Sequence, residues 1–505
     1  MTTLVDLLAR SRPSDVAIAA PGRRALLHGE LNGQIGETIA ALNGQGIGRG
    51  DRLAMVLPNG PEAAAAFVAC SAACATAPLN SAYRAAEFEF YLSDLKAKAL
   101  LIAPGPETPA RAVAERLGIA VGTLETQAGA PAGRFRLAFG GPVRPVAAGG
   151  PAAPGDTALM LHTSGTTARP KLVALTQANL AASATQIGAA LALGPRDRCF
   201  NIMPLFHIHG LIGAVASSLA AGASIFATPG FNALKFFGWL EESQATWITA
   251  VPTMYQAILA RGERHRAAIR RHGLRLLRSS SSSLPPAVMR ELEELFGCPV
   301  IESYGMTEAS HQMASNPLPP RPRRPGTVGI AAGPEVAILD DGGRVLPPGT
   351  PGEVSVRGPS ISPGYVDNPA ANAAAFVDGW FRTGDQGVID HEGYLTLTGR
   401  LKEFINRGGE KISPREVDDV LMDHPAVAQV VTFAVPHDKL GEDVAAAVVL
   451  REGQSLGEQA LREFAAGRLA DFKVPRKILF LGEIPKGATG KPQRIGLAAK
   501  LGLAP

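Results

Sequence analysis

Short β-branched and apolar runs alternate with alanine-rich stretches along most of the chain, and this alternation limits the fold more than any other feature. The clearest runs have four to six residues, at 52–57 (RLAMVL), 99–102 (ALLI), 224–227 (SIFA) and 246–250 (TWITA). Parallel strands need long crossover connections, so this order predicts an α/β sheet with helical crossovers, for example over residues 60–75. Residues 133–154, rich in Gly, Pro and Ala, are expected to form a loop that connects subdomains.

Length and charge exclude several classes of protein. The chain has 505 residues, of which 46% are apolar and 19% charged, a balance typical of a globular protein with two or more domains. The 49 Lys and Arg residues exceed the 45 Asp and Glu residues by only 4. The composition therefore gives no reason to expect nucleic acid or an anionic membrane as a partner. A monomer and a homodimer are both compatible with it.

The cysteines and the apolar segments favour a cytoplasmic protein. Cys70, Cys74, Cys199 and Cys298 are too scattered for a disulfide framework, and no CxxC pair is present to bind zinc. The N-terminus carries charged residues too early for the apolar core of a signal peptide. Residues 199–234 contain no Asp, Glu, Lys or Arg, but prolines, histidines and glycines interrupt them. We therefore expect a buried strand, helix and strand there rather than a membrane span.

The character of the sequence changes after about residue 325. Short strands next to turn signals are predicted at 335–339 (EVAIL), 352–357 (GEVSVR) and 394–398 (YLTLT), which indicates a small antiparallel β unit. Helix and strand patterns then alternate again for about 105 residues, enough for one compact α+β domain. The predicted organisation is a core over residues 1–399, a hinge over 400–403 and a C-terminal domain over 404–505.

The most informative segment is 162–171, HTSGTTARPK, in which three threonines, a serine and a glycine fall within seven residues. A turn so rich in hydroxyls and unhindered N–H groups suits a polyphosphate, and Lys171 can neutralise charge at its end. The segment is not the Walker pattern GxxxxGK[ST], because the lysine follows a proline. The alternative is a solvated Ser/Thr turn, but the full string followed by Pro-Lys is more specific than such a turn requires.

Six motifs in a fixed order connect the chain to a known family. After residues 162–171 come 203–211 (MPLFHIHGL), 303–308 (SYGMTE), 380–385 (WFRTGD), 399–414 (GRLKEFINRGGEKISP) and 485–494 (PKGATGKPQR). In these motifs, spread over about 330 residues, the chain resembles the adenylate-forming superfamily of acyl-CoA synthetases, adenylation domains and luciferases. The resemblance implies an α/β fold: a large N-terminal domain of stacked α/β subdomains with a small β unit, and a small mobile α+β C-terminal domain.

The resemblance also assigns the nucleotide site. Tyr304 offers a ring for adenine stacking and Thr307 a hydroxyl for the α-phosphate, while Glu308 is a hard oxygen ligand suited to Mg²⁺, with Thr166 as a second implied ligand. Asp385 can accept hydrogen bonds from the ribose hydroxyls. The alternatives without a binding function are a surface carboxylate at Glu308 and an Asx-type turn at Asp385. The residues implied to bind ATP or AMP are Thr163, Ser164, Gly165, Thr166, Thr167, Lys171, Ser282, Ser283, Tyr304, Gly305, Thr307, Asp385 and Arg400.

The C-terminal motifs imply a moving domain. By resemblance Arg400 contacts the ribose, and Lys402 is the residue about which the C-terminal domain turns. Two solvated linker charges are the alternative for this pair. Gly408 and Gly409 allow close backbone approach, and with Lys411 they are implied to line the tunnel for CoA. A simple flexible turn is the alternative there.

Lys491 is implied to bridge the substrate carboxylate and the α-phosphate. The attack of a carboxylate on a phosphate brings two anions together, so an ammonium between them stabilises the charge of the transition state. His207 matches the gate beside the acyl pocket of the family, and it completes the implied catalytic set with Lys491, Thr307 and Glu308. Lys486, the other lysine of the last motif, is expected to be structural.

A narrower resemblance implies the substrate. Residues 311–319 (HQMASNPLP) and 325–329 (PGTVG) resemble the oxalyl-CoA synthetase branch of the family, and malonyl-CoA synthetases share part of this run. The string 278–285 (RSSSSSLP) stands where many relatives have a turn rich in Gly and Ala. The residues expected to offer donors to a second carboxylate are Ser281 and His311, with His209 as a further candidate. With the gate residue His207, they make up the implied acyl pocket. The alternative is that His311 packs in the core and Ser281 only caps a turn.

The leading hypothesis is an ATP- and Mg²⁺-dependent carboxylate–CoA ligase that forms an acyl-adenylate and then a CoA thioester. Oxalate is the expected substrate, with malonate or another short acid as the alternative. AMP supplies the leaving group, so no side-chain nucleophile is needed, and none with a GxSxG elbow is present. A stand-alone adenylation enzyme that loads a carrier protein is a second alternative. A nucleotide-binding protein without catalysis is disfavoured by the intact Lys171, Glu308, Asp385 and Lys491.

Overall fold

The computed structural model describes residues 2–105, 108–140, 144–163, 170–485 and 493–504. Its strands are β1 (Val16–Ala19), β2 (Leu26–Leu27), β3 (Arg52–Val56), β4 (Ala75–Pro78), β5 (Ala99–Ile102), β6 (Ala120–Glu125), β7 (Arg136–Phe139), β8 (Thr157–His162), β9 (Leu172–Thr176), β10 (Arg198–Asn201), β11 (Ser224–Ala227), β12 (Trp247–Ala250), β13 (Leu276–Ser279), β14 (Val300–Met306), β15 (His311–Ser315), β16 (Ile330–Ala331), β17 (Glu335–Leu339), β18 (Gly352–Arg357), β19 (Phe376–Val377), β20 (Trp380–Ile389), β21 (Leu395–Arg400), β22 (Ile405–Arg407), β23 (Glu410–Ile412), β24 (Val427–His437), β25 (Gly441–Leu450) and β26 (Lys477–Phe480).

The α-helices are α1 (Leu4–Leu8), α2 (His28–Gly44), α3 (Pro61–Ser71), α4 (Ala85–Asp94), α5 (Pro109–Arg116), α6 (Gln177–Ala190), α7 (Ser217–Ala220), α8 (Phe236–Ser243), α9 (Pro252–Gly262), α10 (Arg266–His272), α11 (Pro286–Phe296), α12 (Pro369–Ala375), α13 (Pro414–Met422), α14 (Glu458–Ala466) and α15 (Leu497–Lys500). A π-helix covers His209–Ala216, and short 3-10 turns cover Glu263–His265, Thr307–Ala309, Leu401–Glu403 and Asp471–Lys473.

Two mostly parallel sheets form the N-terminal part of the molecule. One has the strand order β7-β6-β5-β3-β4-β8-β9, and the other has the order β16-β15-β14-β13-β12-β10-β11-β1-β2. The pairs at the sheet ends are antiparallel, and the pairs between them are parallel. The four apolar runs predicted as strands are observed as β3, β5, β11 and β12. The predicted α/β sheet with helical crossovers is therefore confirmed.

Helix α3 holds the two sheets together. Ten of its eleven residues are buried, and it contacts β4 in one sheet and β1 and β11 in the other. Its alanines are small enough to let both sheets approach the helix axis closely. Pro61 begins the helix, because the N–H that proline lacks has no intrahelical partner at that position. The helix ends at Ser71 and β4 begins at Ala75, so it is shorter than the sequence predicted.

The apolar segment 199–234 forms β10, the π-helix with α7, and β11, as the sequence predicted. In the described part of the chain, no helix combines the length and apolar character needed to cross a bilayer. The prediction of a plain loop over 133–154 is wrong in part, because this region contains β7. That strand pairs antiparallel with β6, and Leu137 and Phe139 pack against the core.

The C-terminal part contains two further sheets. Strands β17, β18, β20, β19 and β21 form the antiparallel unit that the sequence predicted, and β20 carries Asp385. Strands β23, β22, β25, β24 and β26 form the last sheet, which packs with α13 and α14. Between the two sheets lies the 3-10 turn Leu401–Glu403. The predicted hinge falls on this turn, and the domain limits themselves stay a prediction.

Candidate active site

The carboxyl ends of adjacent parallel strands bring the predicted acyl-pocket residues together. Strand β12 ends beside Thr249, β13 runs into Ser281, and β14 turns through the 3-10 segment into His311. The carboxyl edge of a parallel sheet is where ligands bind in open α/β folds. The π-helix places His209 over the same edge, and π-helical turns occur frequently at functional sites.

His209, Ser281 and His311 form one polar cluster. The Nδ1 atom of His209 lies 3.0 Å from Ser281 Oγ, and its Nε2 atom lies 2.6 Å from Thr249 Oγ1. The His209 and His311 rings stack with their centroids 4.9 Å apart. Both histidines are buried, at 2% and 1% exposure. The structure thus joins three of the four predicted acyl residues. The fourth, His207, is half-buried at the start of the same helical segment, next to Phe206.

Two residues of this cluster have an unusual backbone conformation. Ser281 has φ of 74° and His311 has φ of 105°, in the region that favours glycine. Such strain costs free energy and is concentrated at functional sites, where the surrounding structure imposes it. Gly305 makes the close approach of this chain segment possible, since a Cβ at position 305 would lie 1.5 Å from the His311 carbonyl oxygen. In this structure Gly305 thus allows the backbone at His311 to pack against β14.

Arg278 lies directly behind the cluster, although none of the sequence motifs predicted a role for it. Its side chain is fully buried, with 0% exposure. It donates to His311 Nε2 at 3.1 Å, to Gln312 Oε1 at 3.1 Å and to Thr249 Oγ1 at 3.4 Å. Burial lowers the pKa of Arg278 to about 10, so the guanidinium remains charged at neutral pH. One feature of the sequence could have indicated this residue: the arginine stands at the start of the serine string, on a buried strand.

A second group of residues forms the predicted nucleotide end of the site. The Tyr304 hydroxyl donates to Asp385 Oδ2, and Arg400 Nε donates to Asp385 Oδ1 at 2.8 Å. Burial and the Asp385 carboxylate raise the pKa of Tyr304, so its hydroxyl keeps its proton. The Asp385 charge also raises the pKa of Arg400. These contacts bring three of the predicted ATP residues together from three separate motifs.

Glu308 is buried next to a residue that sequence reasoning missed. Its Oε1 atom accepts a hydrogen bond of 2.8 Å from the Tyr365 hydroxyl. The Lys171 ammonium lies 4.4 Å from the centre of the Tyr365 ring, so one tyrosine connects two predicted site residues. Burial raises the pKa of Glu308, while Arg400 and Lys171 act in the opposite direction. A positive ligand would favour the ionised form of this carboxylate further.

Glu308 is the predicted metal ligand that the structure describes. In the described ranges, no three His, Cys, Asp or Glu side chains are grouped as a metal site. A buried carboxylate standing alone suits Mg²⁺ that is bound mainly through phosphates, because such Mg²⁺ takes one or two protein carboxylates and several waters. The donor present therefore fits a magnesium ion that arrives with ATP.

The remaining nucleotide residues are placed in part. Thr163 and Lys171 bring together the ends of the hydroxyl-rich segment, with Thr163 N donating to the Lys171 carbonyl at 2.8 Å. Ser282 is exposed, whereas Ser283 and Thr307 are half-buried. The predicted residues that lie outside the described residues are Ser164, Gly165, Thr166, Thr167 and Lys491.

The predicted hinge and CoA residues lie in the C-terminal part. Lys402 is exposed within its 3-10 turn, and Gly408 and Gly409 form an exposed hairpin turn with φ of 60° and 97°. Lys411 is exposed on the following strand β23.

Arg494 anchors the chain just after residue 491. It donates to Asp418 Oδ2 at 2.6 Å and lies 3.3 Å from Glu403 in the predicted hinge. It also donates to the Thr432 carbonyl oxygen at 2.9 Å. The arginine thereby fixes the end of the last motif to both α13 and the hinge turn.

Three comparisons with known proteins agree on the family. The sequence pattern described as "AMP-binding enzyme" matches residues 6–366, and "AMP-binding enzyme C-terminal domain" matches residues 416–491. The chain is 44% identical to an oxalate–CoA ligase of Arabidopsis thaliana, over 98% of this chain and 97% of that protein. It is 41% identical to an oxalate–CoA ligase of Saccharomyces cerevisiae, over 88% and 86%. It resembles ATP-bound MatB from Rhodopseudomonas palustris, with a TM-score of 0.87, 30% identity and 99% coverage of both chains. The chain belongs to the AMP-binding enzyme family.

Proposed function

We propose that this protein is an ATP-dependent oxalate–CoA ligase. In the first half-reaction, oxalate and ATP form oxalyl-adenylate and release pyrophosphate. In the second, the thiol of CoA displaces AMP and gives oxalyl-CoA. The observation that carries the proposal is the polar cluster of half-buried Ser281 with the buried His209 and His311 in front of Arg278. The names of the two oxalate–CoA ligase relatives support it.

The polar cluster favours a short dicarboxylate over a fatty acid. A long acyl chain needs an apolar tunnel, whereas the second carboxylate of oxalate needs hydrogen-bond donors. Hydroxyl and imidazole groups supply such donors, and a nearby buried cation favours a negative ligand. A site built to hydrogen-bond a polar group rejects analogues without it by large factors, whereas one methylene more or less changes selectivity far less. We therefore place oxalate first and malonate second, with little activity on acetate or long-chain acids.

The nucleotide end supports the adenylation step. Asp385 with Arg400 and Tyr304 is proposed to hold the ribose and adenine, and Thr307 to bind the α-phosphate. Glu308 would hold the Mg²⁺ that accompanies ATP, with Thr166 as a second ligand. That ion would neutralise phosphate charge. Lys171 and the hydroxyl-rich segment before it are proposed to bind the phosphates, and Lys491 to stabilise the charge between the carboxylate and the α-phosphate.

The thioester step requires a path for CoA. A cavity of about 250 Å³ opens beside Phe206 and is lined by largely apolar residues that include Leu205, Phe231 and Met254. The Phe206 ring, which lines this cavity, packs 5.3 Å from the His207 ring, centroid to centroid. The cavity is proposed to take the slender thiol-bearing arm of CoA, with His207 as a gate to the acyl pocket. Gly408, Gly409 and Lys411 are proposed to contact CoA after the C-terminal domain has turned about Lys402.

The cellular setting is part of the same proposal. The four cysteines are buried free thiols, which suits a reducing compartment, so we propose that the enzyme acts in the cytoplasm. Partners are limited to small carboxylates, ATP and CoA, and the enzyme is proposed to be a monomer or a homodimer. Light scattering of the purified protein distinguishes these two states.

The experiment that tests the proposal is pyrophosphate release from Mg²⁺-ATP with a panel of carboxylates, first without CoA and then with it. Oxalate should give the highest rate, and malonate a lower one. His311→Ala should raise the KM for oxalate or abolish turnover, while ATP binding stays nearly intact. A variant with unchanged oxalate kinetics would remove His311 from the acyl pocket. Activity with a phosphopantetheine carrier protein but not with CoA would favour the carrier-loading alternative.

A further inference from the structure

We infer that Arg278 is the positioning residue that sets the direction of the hydrogen bonds in the acyl pocket, so that Ser281 and His311 both act as donors toward the distal carboxylate. The inference rests on the proposed function, since it concerns how that pocket selects a dianion. Arg278 acts here through its neighbours and is not itself placed against the substrate.

The first branch runs through Thr249. An arginine can only donate, so Thr249 Oγ1 must accept from Arg278 across the 3.4 Å contact. In the arrangement that we infer, the Thr249 hydroxyl donates its own hydrogen to His209 Nε2, which lies 2.6 Å away. With Nε2 as an acceptor, the hydrogen of the neutral His209 ring is on Nδ1 and is donated to Ser281 Oγ at 3.0 Å. The Ser281 oxygen is thereby an acceptor from the protein, and its hydroxyl hydrogen remains for a ligand.

The second branch is direct. The Arg278 guanidinium donates to His311 Nε2 at 3.1 Å, so this nitrogen carries the lone pair and Nδ1 carries the hydrogen. Gln312 Oε1 accepts from the other terminal nitrogen of Arg278 at 3.1 Å, which fixes the guanidinium plane. The first branch therefore ends at the Ser281 hydroxyl and the second at the His311 ring, each of them a hydrogen-bond donor. Arg278 sets the direction of both branches.

The charge environment of Arg278 indicates that it serves a ligand rather than a structural ion pair. Among the residues that the structure describes, no Asp or Glu pairs with it, and its buried Nε atom has no hydrogen-bond partner. The titratable groups that face it from neighbouring elements are Tyr255, Cys199 and His311. A buried cation without a counter-ion is costly, and a bound anion relieves this cost.

Arg275 provides a comparison within the same strand region. It lies three residues earlier and forms an ordinary ion pair, with its Nε atom 3.0 Å from Asp197 Oδ1. It also donates to the Leu191 carbonyl oxygen at 3.0 Å. Arg275 is therefore a matched control: its loss removes a partly buried arginine without touching the acyl cluster.

The test measures selectivity in the full-length enzyme. Arg278→Met, Arg278→Lys, Thr249→Val and Arg275→Met are compared with the wild type in the ATP–pyrophosphate exchange driven by oxalate and by pyruvate, which has an uncharged acetyl group in place of the distal carboxylate. Arg278→Met should lower kcat/KM for oxalate by about 100-fold, with pyruvate and the KM for ATP nearly unchanged. Arg278→Lys, which still donates, should restore part of the loss. Thr249→Val breaks only the first branch and should cost about tenfold. Arg275→Met should leave the oxalate-to-pyruvate ratio at its wild-type value.

Two results would overturn the inference. The first is a folded Arg278→Met enzyme with the wild-type ratio of oxalate to pyruvate. The second is a loss of selectivity in Arg275→Met as large as that in Arg278→Met. If Arg278→Met does not fold, an unchanged ratio in both Arg278→Lys and Thr249→Val overturns it instead. A wild-type enzyme that ignores oxalate contradicts the proposed function, which is a separate result.

Discussion

Gly213 lies so close to the His311 ring that a methyl group at its position would fall 2.5 Å from both Cδ2 and Nε2 of the imidazole. Gly213 belongs to the π-helix that also carries His209, so this helix sets the positions of both histidines. We predict that Gly213→Ala displaces the His311 ring and raises the KM for oxalate by about 10- to 100-fold, because small displacements in a polar site are costly. Steady-state kinetics with oxalate and with ATP varied in turn measure this effect.

Gly188→Ala is the control for this substitution. Gly188 also lies in a buried helix, but a Cβ there meets only Ala221 Cβ at 3.8 Å, an ordinary contact. This variant should keep the wild-type KM for oxalate. Equal kinetics in Gly213→Ala and the wild type would show that the His311 position does not matter for oxalate.

Lys491 is predicted to act in adenylation alone. Lys491→Ala should abolish pyrophosphate release and still convert a supplied oxalyl-adenylate to oxalyl-CoA. Loss of an electrostatic stabiliser of this kind costs a factor on the order of 10²–10³ in rate. Lys486→Ala, in the same motif, is the matched control and should retain both half-reactions. Normal adenylation by Lys491→Ala would remove this lysine from the site.

Lys402 is predicted to absorb the backbone change when the C-terminal domain turns. The two half-reactions need different faces of that domain at one site, so Lys402→Pro should impair thioester formation more than adenylation. Proline restricts its own backbone and that of Leu401 within the 3-10 turn. Lys402→Ala removes only the side chain and separates the two effects. Equal losses in both half-reactions for the proline variant would count against domain alternation.

Glu302 gives a prediction about pH and stability. Burial raises the pKa of Glu302 from its ordinary 4.5 to about 7, and one carboxyl oxygen accepts from the Leu284 N–H at 2.9 Å. Between these values the unfolded chain loses a proton that the folded chain keeps. The free energy of unfolding therefore falls as pH rises through this window, by about 3 kcal/mol, and levels off above it.

Glu302→Gln keeps the acceptor for Leu284 and has no proton to lose. Urea unfolding at pH 5 and pH 8 should show that this variant gains stability relative to the wild type at the higher pH. The comparison isolates Glu302 from the other buried acids, which are common to both proteins. An identical pH dependence in the two proteins would mean that Glu302 stays ionised in the folded state.

The sequence was sufficient for several of the buried strands, because these depend on local pattern, whereas the roles of the motif residues stay a prediction. Apolar runs such as 224–227 form buried strands wherever helices cover both faces of a sheet. The partners of the motif residues were not predictable in this way. Tyr365 meets Glu308 from 57 positions away, and Arg278 meets His311 from 33 positions away. Such contacts depend on which strands become neighbours, and a single sequence gives no local signal for that order.

The region around β7 also shows that local composition does not predict long-range pairing, since here a strand forms where a loop was predicted. Its composition is typical of a loop, yet residues 136–139 pair with β6 and pack against the hydrophobic core. Pairing to an existing sheet edge outweighs weak local propensity. The serine string at 279–283 is similar, since the strained backbone of Ser281 is held by the surrounding strands rather than by its own residue type.

The most direct test of the central claim is the rate of CoA thioester formation with oxalate, malonate, acetate and octanoate at saturating Mg²⁺-ATP and CoA. The products are identified by mass spectrometry, and the amount of AMP formed is measured in the same samples. We predict oxalyl-CoA and AMP in equal amounts, at a rate above that with malonate and far above those with acetate and octanoate. Efficient turnover of a medium-chain or aromatic acid, with oxalate inert, would contradict the account.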